Sequence, residues 1–127
     1  MHYTFVEIGT SDFETLIQSC SDSDIGLSID PLKIYLDKLP NKQNVQKINA
    51  AISNSDGTIS CYYVPDDEIE KYGLPHWVRG CNSIGQYHKT VYELLVKFGI
   101  PTSIIKSIEI PKLSMISLHL LTFKTPI

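Results

Sequence analysis

The chain has few of the features that assign a protein to a class at once. It has three cysteines among 127 residues (Cys20, Cys61 and Cys81), and no two of them show the Cys-x-x-Cys spacing of a zinc or redox site. Its four histidines lie far apart in the sequence, so we expect no metal site. An odd number of cysteines without a recognisable signal peptide predicts a reducing, cytoplasmic setting.

Charge and hydropathy exclude further classes. The formal net charge is −3, with 11 basic and 14 acidic residues, and the lysines are scattered rather than clustered. Nucleic acid is therefore not an expected partner, because its phosphates require a positive surface. No apolar run approaches the roughly 20 residues that cross a bilayer, so no membrane partner is expected either. With 43% apolar residues, the chain is typical of one globular domain.

The sequence does contain one informative stretch near its beginning, "TFVEIGTSDFETL". We predict a buried strand over Tyr3–Ile8 that ends at Gly9. Ser11 followed by Glu14 has the pattern of a capping box, which predicts a helix over Ser11–Ser19. A strand, a glycine turn and a helix N-terminus present backbone N–H groups to a ligand.

Further strands and a helix follow this stretch. Ile25–Ile29 is predicted to be the second strand, and Asp30-Pro31 then begins a helix with an N-cap acid and a first-turn proline. A third strand near Val45–Ile52 makes the order that of an α/β fold with parallel strands. The turn "SNSDG" predicts an antiparallel hairpin with Thr58–Val64, which would make the sheet mixed.

The second half of the chain has a weaker pattern. Residues 65–90 are predicted to be a long irregular connection, which is uncommon unless it has a function. A helix over Val91–Phe98 and a strand over Lys106–Ile110 follow. Within the connection, Pro75–His88 combines polar and aromatic residues of the kind that bind ligands from loops.

Two acids lie at the ends of the first two predicted strands. Asp30 follows Gly9 by 21 residues, about the spacing at which nucleotide-binding α/β folds place an acid against ribose hydroxyls. Glu7, on the first strand, would repel a pyrophosphate and attract an ammonium group. Together they indicate a nucleoside with an amino-acid arm, which is S-adenosylmethionine. The alternatives are a solvent-facing Glu7 and an Asp30 that only caps a helix, or another nucleoside-binding Rossmann protein.

Several blocks of the sequence carry a resemblance to a known family. They are "FVEIGTSDFETLI", "GLSIDPLKIYLDKLP", "INAAISNSDGTISCYYVP" and "YGLPHWVRGCNSIGQYHKTV". Over roughly residues 3–116 the chain resembles the N-terminal two-thirds of FkbM-type S-adenosylmethionine-dependent methyltransferases. The resemblance implies a Rossmann-like fold and O-methylation of a sugar or other small metabolite.

The resemblance also implies which residues would bind the cofactor. Glu7 and Gly9 match the first cofactor motif, Asp30 matches the ribose-binding acid, and the segment containing Ala50 and Ala51 would lie beside the adenine. The remaining candidates are Thr10 and Ser11 in the first turn and Asn82 and Ser83 in the later loop, where Arg79 is a candidate partner for a carboxylate. No residue is assigned a catalytic role.

The chain departs from the family after Met115. The family continues with a fourth strand, similar to "LKIDTEGHD", that carries an acid at the methyl-transfer centre, and "ISLHLLTFKTPI" does not resemble it. We therefore expect one incomplete methyltransferase domain over residues 1–127 with an exposed first strand. An exposed edge predicts a homodimer or strand-swapped assembly. The alternative is a non-catalytic remnant that serves as a cofactor-binding or interaction module.

Overall fold

The computed structural model describes residues 2–12 and 14–124, which form both strands and helices. The strands are β1 (Phe5–Ile8), β2 (Gly26–Asp30), β3 (Val45–Asn49), β4 (Ala51–Ile52), β5 (Gly57–Tyr63), β6 (Ser83–Ile84) and β7 (Lys106–Leu113). The α-helices are α1 (Leu16–Ser19), α2 (Lys33–Leu36), α3 (Asp66–Lys71), α4 (Lys89–Lys97) and α5 (Met115–Lys124). Short 3₁₀ helices cover His76–Gly80 and Thr102–Ile104. The protein is thus mixed α/β.

The chain divides into two compact units. Unit 1 comprises Met1–Thr58 and Ile110–Ile127, and unit 2 comprises Ile59–Glu109. Unit 2 is therefore an insertion in the sequence of unit 1.

Unit 1 is built on a parallel sheet with the strand order β1-β2-β3. All five residues of the central strand β2 are buried. Apolar clusters cover both faces of the sheet. One face packs with Leu118 of α5, through Leu27, Ile29, Ile48 and Ala50. The other face packs with Ile17, Leu36 and Leu39, through Phe5 and Val45. Helices on both faces are what a parallel sheet requires, because each of its faces must be buried.

Gly26 has a packing role in this sheet. It pairs in register with Phe5 on β1. A Cβ at position 26 would lie 2.2 Å from Cζ of the Phe5 ring, well inside van der Waals contact. The absence of a side chain at position 26 is therefore what allows the ring to lie across the strand.

Unit 1 also contains a second strand pair, β4 with β7, which is parallel. The turn that follows β4 is tied to the segment that follows β7. Asp56 accepts hydrogen bonds from the Ser114 N–H (2.8 Å) and the Ser117 hydroxyl (2.5 Å) at the start of α5. These bonds hold the pKa of Asp56 below its ordinary value, the Ser114 N–H contributing most.

Unit 2 has its own apolar core. Its buried residues lie on α3, α4 and the two 3₁₀ helices or directly after β5: Val64, Ile69, Val78, Val91, Leu95 and Ile104. Val91 and Leu95 are four residues apart on α4 and so face the same side. In this unit β5 pairs with β6 in antiparallel fashion.

The structure corrects the predicted first helix. Ser11 and Glu14 both have positive φ (54° and 52°), which no helix accommodates. Helix α1 instead begins at Leu16, with Thr15 as its N-cap and the Thr15 N–H donating to Oε1 of Gln18 at 2.9 Å. Thr15 and Gln18 have the same Ser/Thr-x-x-Glu/Gln spacing, so the capping signal was read four residues early.

The predicted start of the second helix is also wrong. Helix α2 begins at Lys33 with Leu32 as its N-cap, not at Asp30-Pro31. The β2 strand extends through Asp30, and the Asp30 side chain bonds the Leu32 N–H at 2.8 Å before the helix begins.

The predicted hairpin does not form either. In the sheet order β4-β7-β5-β6, β7 separates β4 from β5. The physical reason is that β7, which comes later in the chain, pairs with β4 in the position where the turn composition predicts β5. The Ser53 N–H donates to the Leu113 carbonyl at 2.8 Å, and Lys112 Nζ donates to the Ser55 hydroxyl at 3.0 Å.

The expected irregular connection over residues 65–90 contains regular structure, namely α3, the 3₁₀ helix His76–Gly80 and β6. Several other expectations are confirmed. The three early strands form and pair in parallel, and α4 and β7 lie where a helix and a strand were predicted, with shifted bounds.

Candidate functional site

The carboxyl ends of β1, β2 and β3 bring the two predicted acids onto one face of the sheet. Glu7 pairs in register with Ser28, and Asp30 pairs with Asn49. Paired residues point to the same side and alternate residues of a strand do so as well. Glu7, Ser28, Asp30 and Asn49 therefore share a face, as the sequence hypothesis requires of Glu7 and Asp30.

The turn after β1 is tight and partly open. Gly9 has a φ of 75°, and the N–H groups of Gly9 and Thr10 both donate to the Ile29 carbonyl, at 2.7 and 3.2 Å. A Cβ built at Gly9 would meet no heavy atom within 4 Å. The turn thus combines a glycine conformation with open space beside the backbone, which is the geometry of a close ligand approach.

Asp30 is buried and serves the backbone around it. The Asp30 residue is only 3% exposed. Oδ2 accepts the Ser11 N–H and Oδ1 accepts the Leu32 N–H, both at 2.8 Å. Burial raises the pKa of Asp30, the two backbone hydrogen bonds oppose that shift, and the negative charge of Asp12 adds to it. The carboxylate therefore joins the turn after β1 to the segment that leads into α2.

Glu7 has a comparable but weaker attachment. Its Oε1 accepts the N–H of Leu16, the first residue of α1, at 3.2 Å in an exposed setting. A carboxylate at this position compensates an N–H group that has no partner within the helix. Since Glu7 is only half-buried, its carboxylate remains accessible from solvent.

The predicted adenine-side residues lie at the end of β3. Ala50 and Ala51 are 2% and 6% exposed. The Ala50 N–H donates to the Asp30 carbonyl at 3.2 Å, and Ala50 packs in the apolar cluster on the face opposite the acids. Asn49 donates its side-chain amide to the carbonyls of Asp30 (3.0 Å) and Pro31 (2.9 Å). Asn49 is thus the residue that fixes this strand end to the next.

The sequence did not single out Ser28, which is fully buried between the two acids of β1 and β2. Its hydroxyl has no hydrogen-bond partner among residues 2–12 and 14–124, and the same holds for the buried hydroxyl of Ser11. Ser28 lies two residues before Asp30 on β2, and the N–H of Ser11 donates to the Asp30 carboxylate. The one available signal was a small polar residue in the otherwise apolar strand "GLSID".

The predicted residues Asn82 and Ser83 belong to unit 2. Both are half-buried, and Ser83 lies on β6 opposite Tyr62 of β5. His88, from the same predicted segment, is the N-cap residue of α4, and its Nδ1 is buried without a partner in the described part of the chain. Trp77, in the same segment, is 45% exposed and so does not fill the core.

Arg79 pairs with a carboxylate, as the sequence suggested. The carboxylate is the side chain of Asp66 in this chain and not that of a ligand. The Nε of Arg79 donates to Oδ1 of Asp66 at 3.0 Å. In the described residues, no three His, Cys, Asp or Glu side chains are grouped so that they could hold a metal ion. The described helices include none that is long and apolar enough to cross a membrane.

Comparison of the chain with protein-family models finds no matching family, and comparison with curated proteins and with solved structures finds no match either. The resemblance to FkbM-type methyltransferases therefore stays a prediction from the sequence blocks.

Proposed function

We propose that the protein is an S-adenosylmethionine-dependent methyltransferase of FkbM type with an incomplete Rossmann-like fold, which O-methylates a sugar or another small metabolite in the cytoplasm. The observation that supports this most directly is the edge formed by β1 and β2. Glu7 and Asp30 lie on one face of the sheet there, beside the open turn at Gly9.

The residues at this edge fit the cofactor in part. Glu7 is half-buried with an accessible carboxylate, and Gly9 leaves room for the amino-acid arm. Asp30 fits the ribose less well, because it is buried and each of its oxygens already accepts a backbone N–H. A bound cofactor would supply an electrophilic methyl group, and the protein's contribution would be to position it in line with the acceptor oxygen.

Isothermal titration of the full chain with S-adenosylmethionine and with its demethylated product tests this function. Saturable binding is expected, and Glu7→Gln is expected to weaken it about tenfold, the usual effect of losing a hydrogen bond to a charged group. Asp22→Asn is the matched control, since Asp22 is an exposed acid on the loop that precedes β2. No heat at millimolar ligand would refute the proposal for this chain.

The burial of Asp30 favours a second candidate function, a non-catalytic remnant that serves as a cofactor-binding or interaction module. In that case the acid is retained for the backbone bonds it makes with Ser11 and Leu32. The two functions separate when bound methyl donor is supplied with a panel of sugars and small hydroxylated metabolites. Release of the demethylated product identifies the enzyme, and binding without release identifies the remnant.

We also propose that two copies associate through β1, as a homodimer or a strand-swapped assembly. In the order β1-β2-β3, β1 is an edge strand, and Val6 and Ile8 on it are 43% and 50% exposed. An apolar edge of this kind pairs readily with another chain. Light scattering should give the mass of two chains, and Ile8→Lys should give the mass of one. A stable wild-type monomer with cooperative unfolding would contradict this assembly.

A further inference from the structure

Unit 2 contains two adjoining cavities that no part of the methyl-donor proposal uses. The first has a volume of about 440 Å³ and is lined by Asp66, Ile69, Glu70, His76 and Arg79. The second has a volume of about 370 Å³ and is lined by Tyr72, Pro75, Leu94, Phe98 and Ile100. Gly73 and Leu74 line both cavities, so the two share a wall. Each is within the size range of small-molecule sites.

The first cavity presents a positive group held in a fixed position. The Arg79 side chain is only 15% exposed, and Asp66 anchors it by the bond from Nε to Oδ1. A planar guanidinium recognises a carboxylate by parallel N–H···O bonds, and it does so best when its orientation is set in advance. His76 lines the same cavity and adds further hydrogen-bonding capacity.

The same cavity also presents negative groups. Asp66 and Glu70 are four residues apart on α3, so both project from one side of that helix. Glu70 is exposed, and its carboxylate is available to an ammonium group. Positive and negative groups that line one small space are complementary to a ligand carrying both charges on neighbouring atoms.

The second cavity is apolar. Leu94, Ile100 and Phe98 contribute to its wall, and Phe98 is 63% exposed at the end of α4. Exposed aromatic area of this kind is unfavourable in water, and a ligand that covers it gains free energy. The shared wall at Gly73 and Leu74 places this apolar space next to the charged one.

We propose that unit 2 binds a free α-amino acid with a large apolar side chain. Its carboxylate bonds Arg79, its ammonium group bonds Glu70, and its side chain packs in the cavity that Phe98 lines. The inference uses residues 66–100 alone, and it stands or falls separately from the methyl-donor proposal.

The test is isothermal titration of the full chain with L-leucine and with L-phenylalanine. At least one of them is expected to bind saturably. Leucinamide lacks the carboxylate, N-acetyl-leucine lacks the ammonium group, and glycine lacks the side chain. Each of the three is expected to bind about tenfold or more weakly than leucine, because each removes one set of contacts. S-adenosylmethionine also carries an α-carboxylate and an α-ammonium group, so leucine is titrated in its absence.

Two pairs of exposed substitutions assign the contacts. Glu70→Gln should weaken leucine binding about tenfold, and Glu93→Gln, on α4 and lining neither cavity, should leave it unchanged. Phe98→Ala should weaken it severalfold, whereas Val96→Ala, 58% exposed on the same helix, should not.

Three results would overturn the proposal. The first is the absence of saturable heat from both amino acids up to about 10 mM, which is weaker than a specific site of this kind provides. The second is equal binding of leucine, leucinamide and N-acetyl-leucine, which would indicate an apolar surface without recognition of charge. The third is an equal loss of affinity in the test and control variants.

Discussion

The two units use their charged side chains in different ways. In unit 1, Asp30 is 3% exposed, and both of its oxygens accept N–H groups of the surrounding backbone. In unit 2, Glu70 is exposed and Arg79 is ion-paired with Asp66, and both Glu70 and Arg79 line a cavity. The difference shows that the Asp30 carboxylate, at the end of a strand, is occupied by nearby N–H groups that have no partner within a helix or sheet. An acid on the exposed side of a helix remains available to a ligand.

The largest expected effect comes from removing the Asp30 carboxylate. Asp30→Ala leaves the buried N–H groups of Ser11 and Leu32 without their acceptors, and it should lower the free energy of unfolding by about 3 kcal/mol. Asp30→Asn keeps one acceptor oxygen and should cost less. Urea denaturation followed by circular dichroism measures both. Unchanged stability of Asp30→Ala would make Asp30 resemble Glu70 and remove the contrast between the units.

The second effect concerns the packing of the unit 1 sheet. Gly26→Ala would place a methyl group 2.2 Å from Cζ of Phe5, so the ring must move and the free energy of unfolding should fall by about 2 kcal/mol. Phe5→Leu in the same chain should recover part of the loss. Gly80→Ala is the matched control in unit 2, because a Cβ there meets no heavy atom within 4 Å. A loss in Gly80→Ala as large as that in Gly26→Ala would contradict the role of the ring.

The third effect is a dependence of stability on pH that divides between two aspartates of unit 1. The pKa of Asp56 is lowered by its bonds to Ser114 and Ser117, so its stabilisation is complete above the ordinary aspartate value of about 3.9 and is lost as the pH falls through the lowered pKa. The pKa of Asp30 is raised by burial. Its protonation should therefore add stability as the pH falls from above that raised pKa towards about 3.9.

Urea midpoints at a series of pH values distinguish the two groups. Asp56→Asn should flatten the loss of stability at the acid end, and Asp30→Asn should flatten the gain at less acid pH. If wild-type stability decreases steadily from neutral pH, without a rise, the raised pKa of Asp30 is contradicted.

The smallest effect is expected in unit 2. Glu70 is exposed, and Glu70→Gln should change the free energy of unfolding by no more than about 0.5 kcal/mol. Thermal unfolding in the absence of ligand measures this change. A loss as large as that in Asp30→Ala would mean that Glu70 also supports the backbone. The two units would then not differ in how they use their acidic side chains.

The parts of the fold that depend on neighbouring residues were predictable from the sequence. The apolar runs before Gly9 and Asp30 predicted two of the three parallel strands, and the run over residues 91–98, followed by Gly99 and Pro101, predicted α4. The start of α1 was missed because two capping patterns lie four residues apart. Only the backbone at Ser11 and Glu14, with positive φ, decides between them.

The parts that depend on distant residues were not predictable in this way. The turn at residues 53–57 has the composition of a hairpin, yet its side chains bond the segment around Ser114, more than 50 residues later. That both acids lie at the carboxyl ends of neighbouring parallel strands was predictable from the order of the elements. The capture of the Asp30 carboxylate was not, because it depends on how the backbone turns at Ser11.

The cavities of unit 2 could not be located from sequence spacing. Their walls combine α3, the residues around Gly73 and Leu74, and the end of α4, and the sequence prediction treated most of this region as irregular. Arg79 was the one lining residue that was singled out. Its charge and its position in a loop rich in aromatic residues provided the signal.

The Ser60 hydroxyl bonds the Glu109 carboxylate, so the chain enters and leaves unit 2 at the same point. A segment whose two ends lie close together can be inserted into a surface loop of an unrelated protein, because the two residues of that loop to which it is joined need only be a short distance apart. Because residues 59 and 109 lie inside β5 and β7, a graft for chimaeric proteins should take both strands whole, over residues 57–113.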